Sequence, residues 1–181
     1  MTDYRHSLSD DPTLITPTAE FEGSYGRYIE ELGSEERYPF PLDFDYSNFD
    51  NYLARVEDFA NGRNLPKGFV QSSTYWLVRD SEILGITNIR HNLTAELENL
   101  GGHMGLSIRP TQRGLGLGKL LMQLSIDHLS SLGVTTIHIH CHKANLGSAK
   151  TIQACGGELH SEILQGSDLI QRYIVQAPIH Q

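Results

Sequence analysis

The chain reads as a mixed α/β domain of 181 residues built on one twisted sheet. Two observations predict this class. Helical and strand-like periodicities alternate along the chain as strand, two helices, three strands, helix, strand, helix and two strands. A glycine-rich turn, Arg113 to Lys119, joins the fourth strand to a long amphipathic helix.

Leu14-Ile15 is a short strand candidate. Phe21, Tyr25, Tyr28, Ile29 and Leu32 recur at helical spacing, which predicts a helix over 19–32. Pro39 and Pro41 break regular structure, so 33–48 reads mostly as loop. Phe49, Tyr52, Leu53 and Val56 mark a second helix ending near Gly62. Thr74 to Arg79 and Glu82 to Arg90 are β-rich around Asp80-Ser81, a hairpin. Residues 102–109 form a further strand, stopped by Pro110. The helix over 117–132 places Leu117, Leu120, Leu121, Leu124 and Leu132 on one face, beside Met122, Ile126 and Leu129, with His128 a core histidine. Gly133 stops it. Residues 134–142 alternate as a strand, Asn145 caps a helix over 145–155, and 158–164 with 169–175 form a closing hairpin. One domain over 1–181 is expected: two helices within 19–62, a core over 74–157 and a hairpin over 158–176.

The glycine turn carries the chemistry. Gly114, Gly116 and Gly118 lack Cβ atoms, so the backbone can approach a ligand closely. The first N–H groups of the following helix lack intrahelical partners, and the helix dipole favours an anion there. Two phosphate loops are excluded: Leu120 follows Lys119 where a P-loop needs Ser or Thr, and no acid lies in the strand over 134–142 where a dinucleotide fold needs one.

The 14 basic and 22 acidic residues give a net charge of −8, which argues against nucleic acid as a partner. Residues 1–60 carry 4 basic and 14 acidic residues, whereas Arg109, Arg113, Lys119, Lys143 and Lys150 face only Asp127 between 109 and 150. A local positive zone in an acidic chain suits a small polyanion. No run of ~18 apolar residues is present to span a bilayer, the first residues lack a signal-peptide core, and two cysteines imply no disulfide framework. A cytoplasmic location without membrane contact is expected.

The element order, Arg113-Gly114-Leu115-Gly116-Leu117-Gly118, the preceding Ile108-x-Pro110, and Asn145 followed by a helix and Gly156-Gly157 together resemble the GNAT superfamily of acyl-CoA-dependent N-acyltransferases. The likeness is clearest from about Thr74 to Val175. Gly101 to Gly105, Lys150 to Ile152 and Gln171 to Tyr173 resemble a bacterial branch of it. The resemblance implies a central twisted, mostly antiparallel sheet with a parallel splayed pair, flanked by helices. It implies acetyl-CoA as co-substrate, direct transfer to a primary amine of a small molecule or protein, and a possible homodimer. Backbone N–H groups from Arg113 to Lys119 would hold the pyrophosphate. Leu106, Ser107 and Ile108 would pair with the pantetheine arm and provide an oxyanion N–H. Asn145 would reach the pantetheine or phosphate portion, with Ser148 and Lys150 nearby.

The chain departs from the family at Ile152, where many members carry a tyrosine acid. His103 and His140 are the candidate bases, because a histidine near pKa ~6.5 suits that task at neutral pH; Glu96 and Glu98 could act through water. The acidic first sixty residues would favour a cationic acceptor, with 33–48 and 91–101 shaping its pocket. Two rival readings stand beside this one. One is a non-catalytic CoA-binding module, suggested by Ile152. The other is a metal protein built on His138, His140 and His142, which share a strand face but have no further ligand close in sequence.

Overall fold

The computed structural model describes residues 11–177. The strands are β1 (Thr13–Ile15), β2 (Ser72–Arg79), β3 (Glu82–Arg90), β4 (Met104–Ile108), β5 (Thr136–His142), β6 (Glu158–Gln165) and β7 (Asp168–Gln176). The helices are α1 (Glu22–Leu32), α2 (Phe49–Ala60), α3 (Ala95–Asn99), α4 (Leu117–Ser131) and α5 (Leu146–Ala154). The strands form two antiparallel groups, β1-β2-β3-β4 and β5-β7-β6.

The splayed pair is β4 and β5. Among the described residues they touch at one antiparallel bridge, Gly102 with Ile139, reinforced by a 2.7 Å hydrogen bond from His103 N–H to His138 O. Beyond that pivot no ladder joins them, so the edge of β4 turned away from β3 stays open.

Helices cover both faces. On one side α1 and α2 pack an aromatic layer against β2 and β3, with Tyr25, Tyr28, Tyr52, Phe49 and Phe59 around a fully buried Trp76. On the other, α4 and α5 pack on Ile89, Met104, Ile137, Ile139 and Tyr173. The buried stripe of α4 is Leu117, Leu121, Met122, Ser125, Ile126 and Leu129. Leu120 and Leu132, expected inside, are exposed. The helix is turned toward Met122 and Ile126, which buries Ser125 with its hydroxyl satisfied, 2.7 Å from Leu121 O and 3.0 Å from Thr87 Oγ1. His128 is half-buried, with Nε2 2.9 Å from the Tyr75 hydroxyl.

The segment after the hairpin contains α3, a single five-residue turn too short for periodicity to announce. Thr94 caps it through the Leu97 N–H. The 33–48 loop contains a short 3-10 turn at Phe40–Asp43. No helix among the described residues is long and apolar enough to cross a membrane.

Candidate active site

The glycine turn and the open edge of β4 meet at the end of that strand. Gly114 and Gly116 have φ of +78° and +79°, values that side chains rarely tolerate, and a Cβ at either would meet nothing within 4 Å. Backbone conformation therefore selects glycine here, and the turn stands open. Gly116 is the N-cap of α4 and no side chain caps this helix, whereas Asn48, Thr94 and Asn145 cap α2, α3 and α5. The first N–H groups of α4, on Leu117, Gly118 and Lys119, are thus left for an anion.

Hydrogen-bond parity fixes which residues of β4 face the open edge. Arg90 N–H donates to His103 O, and Arg109 N–H donates to Leu84 O. Odd residues of this strand therefore bond to β3, and Met104, Leu106 and Ile108 turn their N–H and C=O groups outward. The expected trio of Leu106, Ser107 and Ile108 needs revision: the Ser107 backbone faces β3, and its side chain instead accepts a 2.9 Å hydrogen bond from the Tyr28 hydroxyl.

The remaining residues of the expected cofactor set, Asn145, Ser148 and Lys150, lie at the start of α5 and within it. Cys155, at the end of α5, places Sγ 3.7 Å from Lys119 O. Asn145 stands at the opposite end of that nine-residue helix, a span of about 14 Å at 1.5 Å per residue. Ser148 and Lys150 lie between, the first half-buried and the second exposed. Asn145 Oδ1 accepts the Ser148 N–H at 3.0 Å, which leaves its amide nitrogen for a ligand. Turn, open strand edge and helix cap together suit an elongated, anionic ligand with a peptide-like arm.

The positive zone is organised differently from its sequence reading. Arg109 is buried and pairs with Glu31 at 2.7 Å and with Glu82. Arg113 donates to Ile108 O and makes a two-pronged pair with Glu35. The acidic N-terminal third is thus joined to the basic segment within the molecule. Burial alone would raise the Glu31 carboxyl, but hydrogen bonds from Thr111 and Arg109 outweigh it and the net direction is down. The Arg113 hydrogen bond lowers Glu35. Among the described residues, Lys119 and Lys150 form no ion pair.

The two expected bases are poorly disposed for that task. His103 Nδ1 accepts the His138 N–H at 3.0 Å, and His140 Nδ1 accepts the Gly101 N–H at 3.1 Å. In a neutral imidazole this puts the proton on Nε2 and leaves no free lone pair. Among the described residues, His140 Nε2 is buried without a hydrogen-bond partner. Burial, then neighbouring His138 and Arg90, push His103 down to about 4; burial, His138 and Arg172 do the same to His140. These rings tie β5 to the 101–103 segment.

His138, by contrast, lines a cavity of about 290 Å³ with Glu98, Asn99, His160 and Arg172. Its Nε2 lies 3.9 Å from Glu98 Oε1. His142 turns instead to Asp168, 3.8 Å away. Among the described residues no three His, Cys, Asp or Glu side chains converge as metal ligands. Ile152 is fully buried in the α4/α5 core. Sequence reading missed Tyr28, Tyr38, Glu35 and Arg172 because no local pattern marks contacts across 66 to 79 residues.

No curated protein shows significant sequence similarity to the chain. Several solved structures share its fold. They include the ribosomal L7/L12 α-N-protein acetyltransferase RimL with coenzyme A (TM-score 0.71, 11% identity, 96% of this chain and 98% of that one). The microcin C7 self-immunity acetyltransferase MccE with acetyl-CoA and AMP aligns at TM-score 0.68, with 16% identity over 93% and 94%. A variant of the spermidine N-acetyltransferase SpeG of Vibrio cholerae gives 0.64, with 13% identity over 92% and 94%. The model of the acetyltransferase (GNAT) family matches residues 28–156. The chain therefore belongs to the GNAT family of acetyltransferases, enzymes that take their acyl group from acetyl-CoA.

Proposed function

We propose that the chain transfers an acetyl group from acetyl-CoA directly to a primary amine. The observation that carries this reading is the open edge of β4, with Leu106 and Ile108 turned outward, ending beside the uncapped N-terminus of α4. The N–H groups of Leu117, Gly118 and Lys119 would hold the pyrophosphate. Leu106 and Ile108 would pair with the pantetheine arm, with the Asn145 amide, Ser148 and Lys150 further along the groove. The Leu106 N–H is the proposed oxyanion donor. Holding both reactants in one cleft supplies much of the acceleration.

For the acceptor's proton we assign His138 in place of His103 and His140, because its ring lines a cavity and has a carboxylate beside it. The amine itself is proposed only as a class. Similar folds act on spermidine and on a ribosomal protein by their names. The acids closest to the donor turn are engaged by arginines, which weakens the case for a cationic acceptor. Calorimetry with acetyl-CoA tests the donor site; an amine panel monitored by thiol release tests turnover. Absence of acetyl-CoA binding would overturn the reading.

A non-catalytic CoA-binding module is favoured by one observation, the burial of Ile152 where a tyrosine acid would stand. Binding without thiol release across the panel would support it, and turnover on any amine would eliminate it.

A further inference from the structure

The burial of Ile152 poses the question of which group protonates the departing thiolate, and the 33–48 loop offers an answer. Tyr38 leaves this loop and lays its ring against β4. A Cβ at Gly105 would fall 2.6 Å from the Tyr38 hydroxyl and 2.5 Å from its ring, so only glycine lets the phenol come this close. The hydroxyl donates toward Met104 O at 3.5 Å. Met104 is one of the residues whose C=O faces the open edge, and Leu106 follows it about 7 Å along the same edge at ~3.3 Å per residue. Cys141 of β5 and Arg90 of β3 act on the hydroxyl electrostatically, as does Glu36 in its own loop. The phenol therefore lies against β4 at Gly105, beside the open edge; its hydroxyl is buried, while 41% of the residue as a whole remains accessible.

We propose that Tyr38 donates the proton to the departing CoA thiolate, the role for which α5 carries no tyrosine; the inference rests on the acetyl-CoA reading above. The acceptor nitrogen attacks the thioester carbon and forms the C–N bond. The tetrahedral intermediate then breaks its C–S bond, and the sulfur keeps the electron pair. Tyr38 transfers its hydroxyl proton to that sulfur. The surplus proton on the new amide nitrogen passes to His138, the base assigned above, and from there to solvent, while solvent returns one to the phenolate. Burial raises the Tyr38 hydroxyl above its ordinary value, with Glu36 and Cys141 adding to this and Arg90 opposing it. The group is accordingly protonated at neutral pH, as a donor must be.

The test compares wild type with Tyr38→Phe, which keeps the ring and removes only the hydroxyl. Free CoA is the first probe. Calorimetry should give affinities within about twofold, while ultraviolet titration of the bound thiol should show its pKa raised by about one unit in the variant, because a hydrogen bond that favours the thiolate is lost. On an amine that wild type acetylates, kcat should fall roughly 100-fold at unchanged KM for acetyl-CoA, with a smaller loss for an acetyl thioester of a more acidic thiol. Identical thiol titrations together with kcat within twofold of wild type would overturn the assignment. Failure of wild type to bind CoA would overturn the donor reading and this inference with it.

Discussion

Gly102 is the position at which the two strand groups are held together, and Gly102→Ala tests whether that pivot is as tight as its geometry indicates. The residue has φ +70°, and an added Cβ would lie 2.6 Å from His138 O and 3.1 Å from His138 C. The obstacle is backbone, so no side-chain rotation relieves it. A left-handed conformation costs an alanine roughly 1–2 kcal/mol. Pushing the strands apart also sacrifices at least one of the bonds that cross here, from His103 N–H to His138 O and from His138 N–H to His103 Nδ1, at about 1 kcal/mol each. The expected loss is about 2–4 kcal/mol, or roughly 5–15 °C in Tm for a chain of this size. Gly133→Ala is the control: its φ is +87°, but a Cβ there meets nothing within 4 Å, so it carries the conformational cost alone. Thermal unfolding of the three proteins should place Gly102→Ala clearly below Gly133→Ala, with weakened acetyl-CoA affinity as the open edge of β4 shifts. Equal Tm values for the two variants would refute the argument that the pivot is close-packed.

Three further outcomes follow from the site. Gly116→Asp should abolish measurable acetyl-CoA binding in calorimetry, since it sets a negative charge at the helix N-terminus; Gly116→Ala adds no charge and has open space around it but carries the conformational cost of φ +79°, so it should weaken binding far less than Gly116→Asp. Glu35→Gln frees Arg113 from an exposed pair worth ~0.5–1 kcal/mol. It should tighten acetyl-CoA binding by about two- to fivefold if the guanidinium then reaches the phosphates, with little change in Tm. His103 and His140 are held at about 4, below the usual 6.5, so the unfolded chain binds more protons between those values. Stability should be complete above pH 6.5 and fall as pH drops toward 4, by up to ~1.4 kcal/mol per pH unit for each ring. Urea midpoints measured across that range should show a shallower decline in His103→Gln than in wild type.

The legible part of this molecule was the part whose causes are local. Alternation, helical spacing and caps located the strands and long helices to within a few residues, and the glycine turn announced its backbone need directly. The face of α4 was misjudged because two leucine-rich stripes adjoin. The stripe that turns inward includes Ser125, a polar residue whose burial is satisfied by Thr87 and its own helix, a long-range partner that spacing does not reveal. The histidines illustrate a different barrier. Residue type and strand position both favour His103 and His140 as bases, yet backbone N–H groups 35 and 39 residues away occupy their lone pairs. Whether an imidazole is a base depends on which nitrogen is free, and that is a property of the assembled pivot.

The charge pattern leads to the same distinction. The sequence segregates acids into the first sixty residues and basic groups into 109–150, a pattern that suggests two outward-facing fields. The fold instead joins them, through Arg109 with Glu31 and Glu82 and through Arg113 with Glu35. The buried Arg109 pairs fix α1 against the hairpin and the end of β4, because removing one partner would strand a charge away from water. The exposed Arg113 pair is weak enough to be exchanged for a phosphate. Of the five cationic side chains in the basic segment, one is therefore structural, and Arg113 can be recruited. Lys143 is held by Glu162, which leaves Lys119 on α4 and Lys150 on α5 without an ion pair among the described residues. Donor affinity should thus depend chiefly on the uncapped helix and on few side-chain charges, so its decline with rising salt should be shallow. A steep dependence would mean that more of these cations face the ligand than the pairing allows.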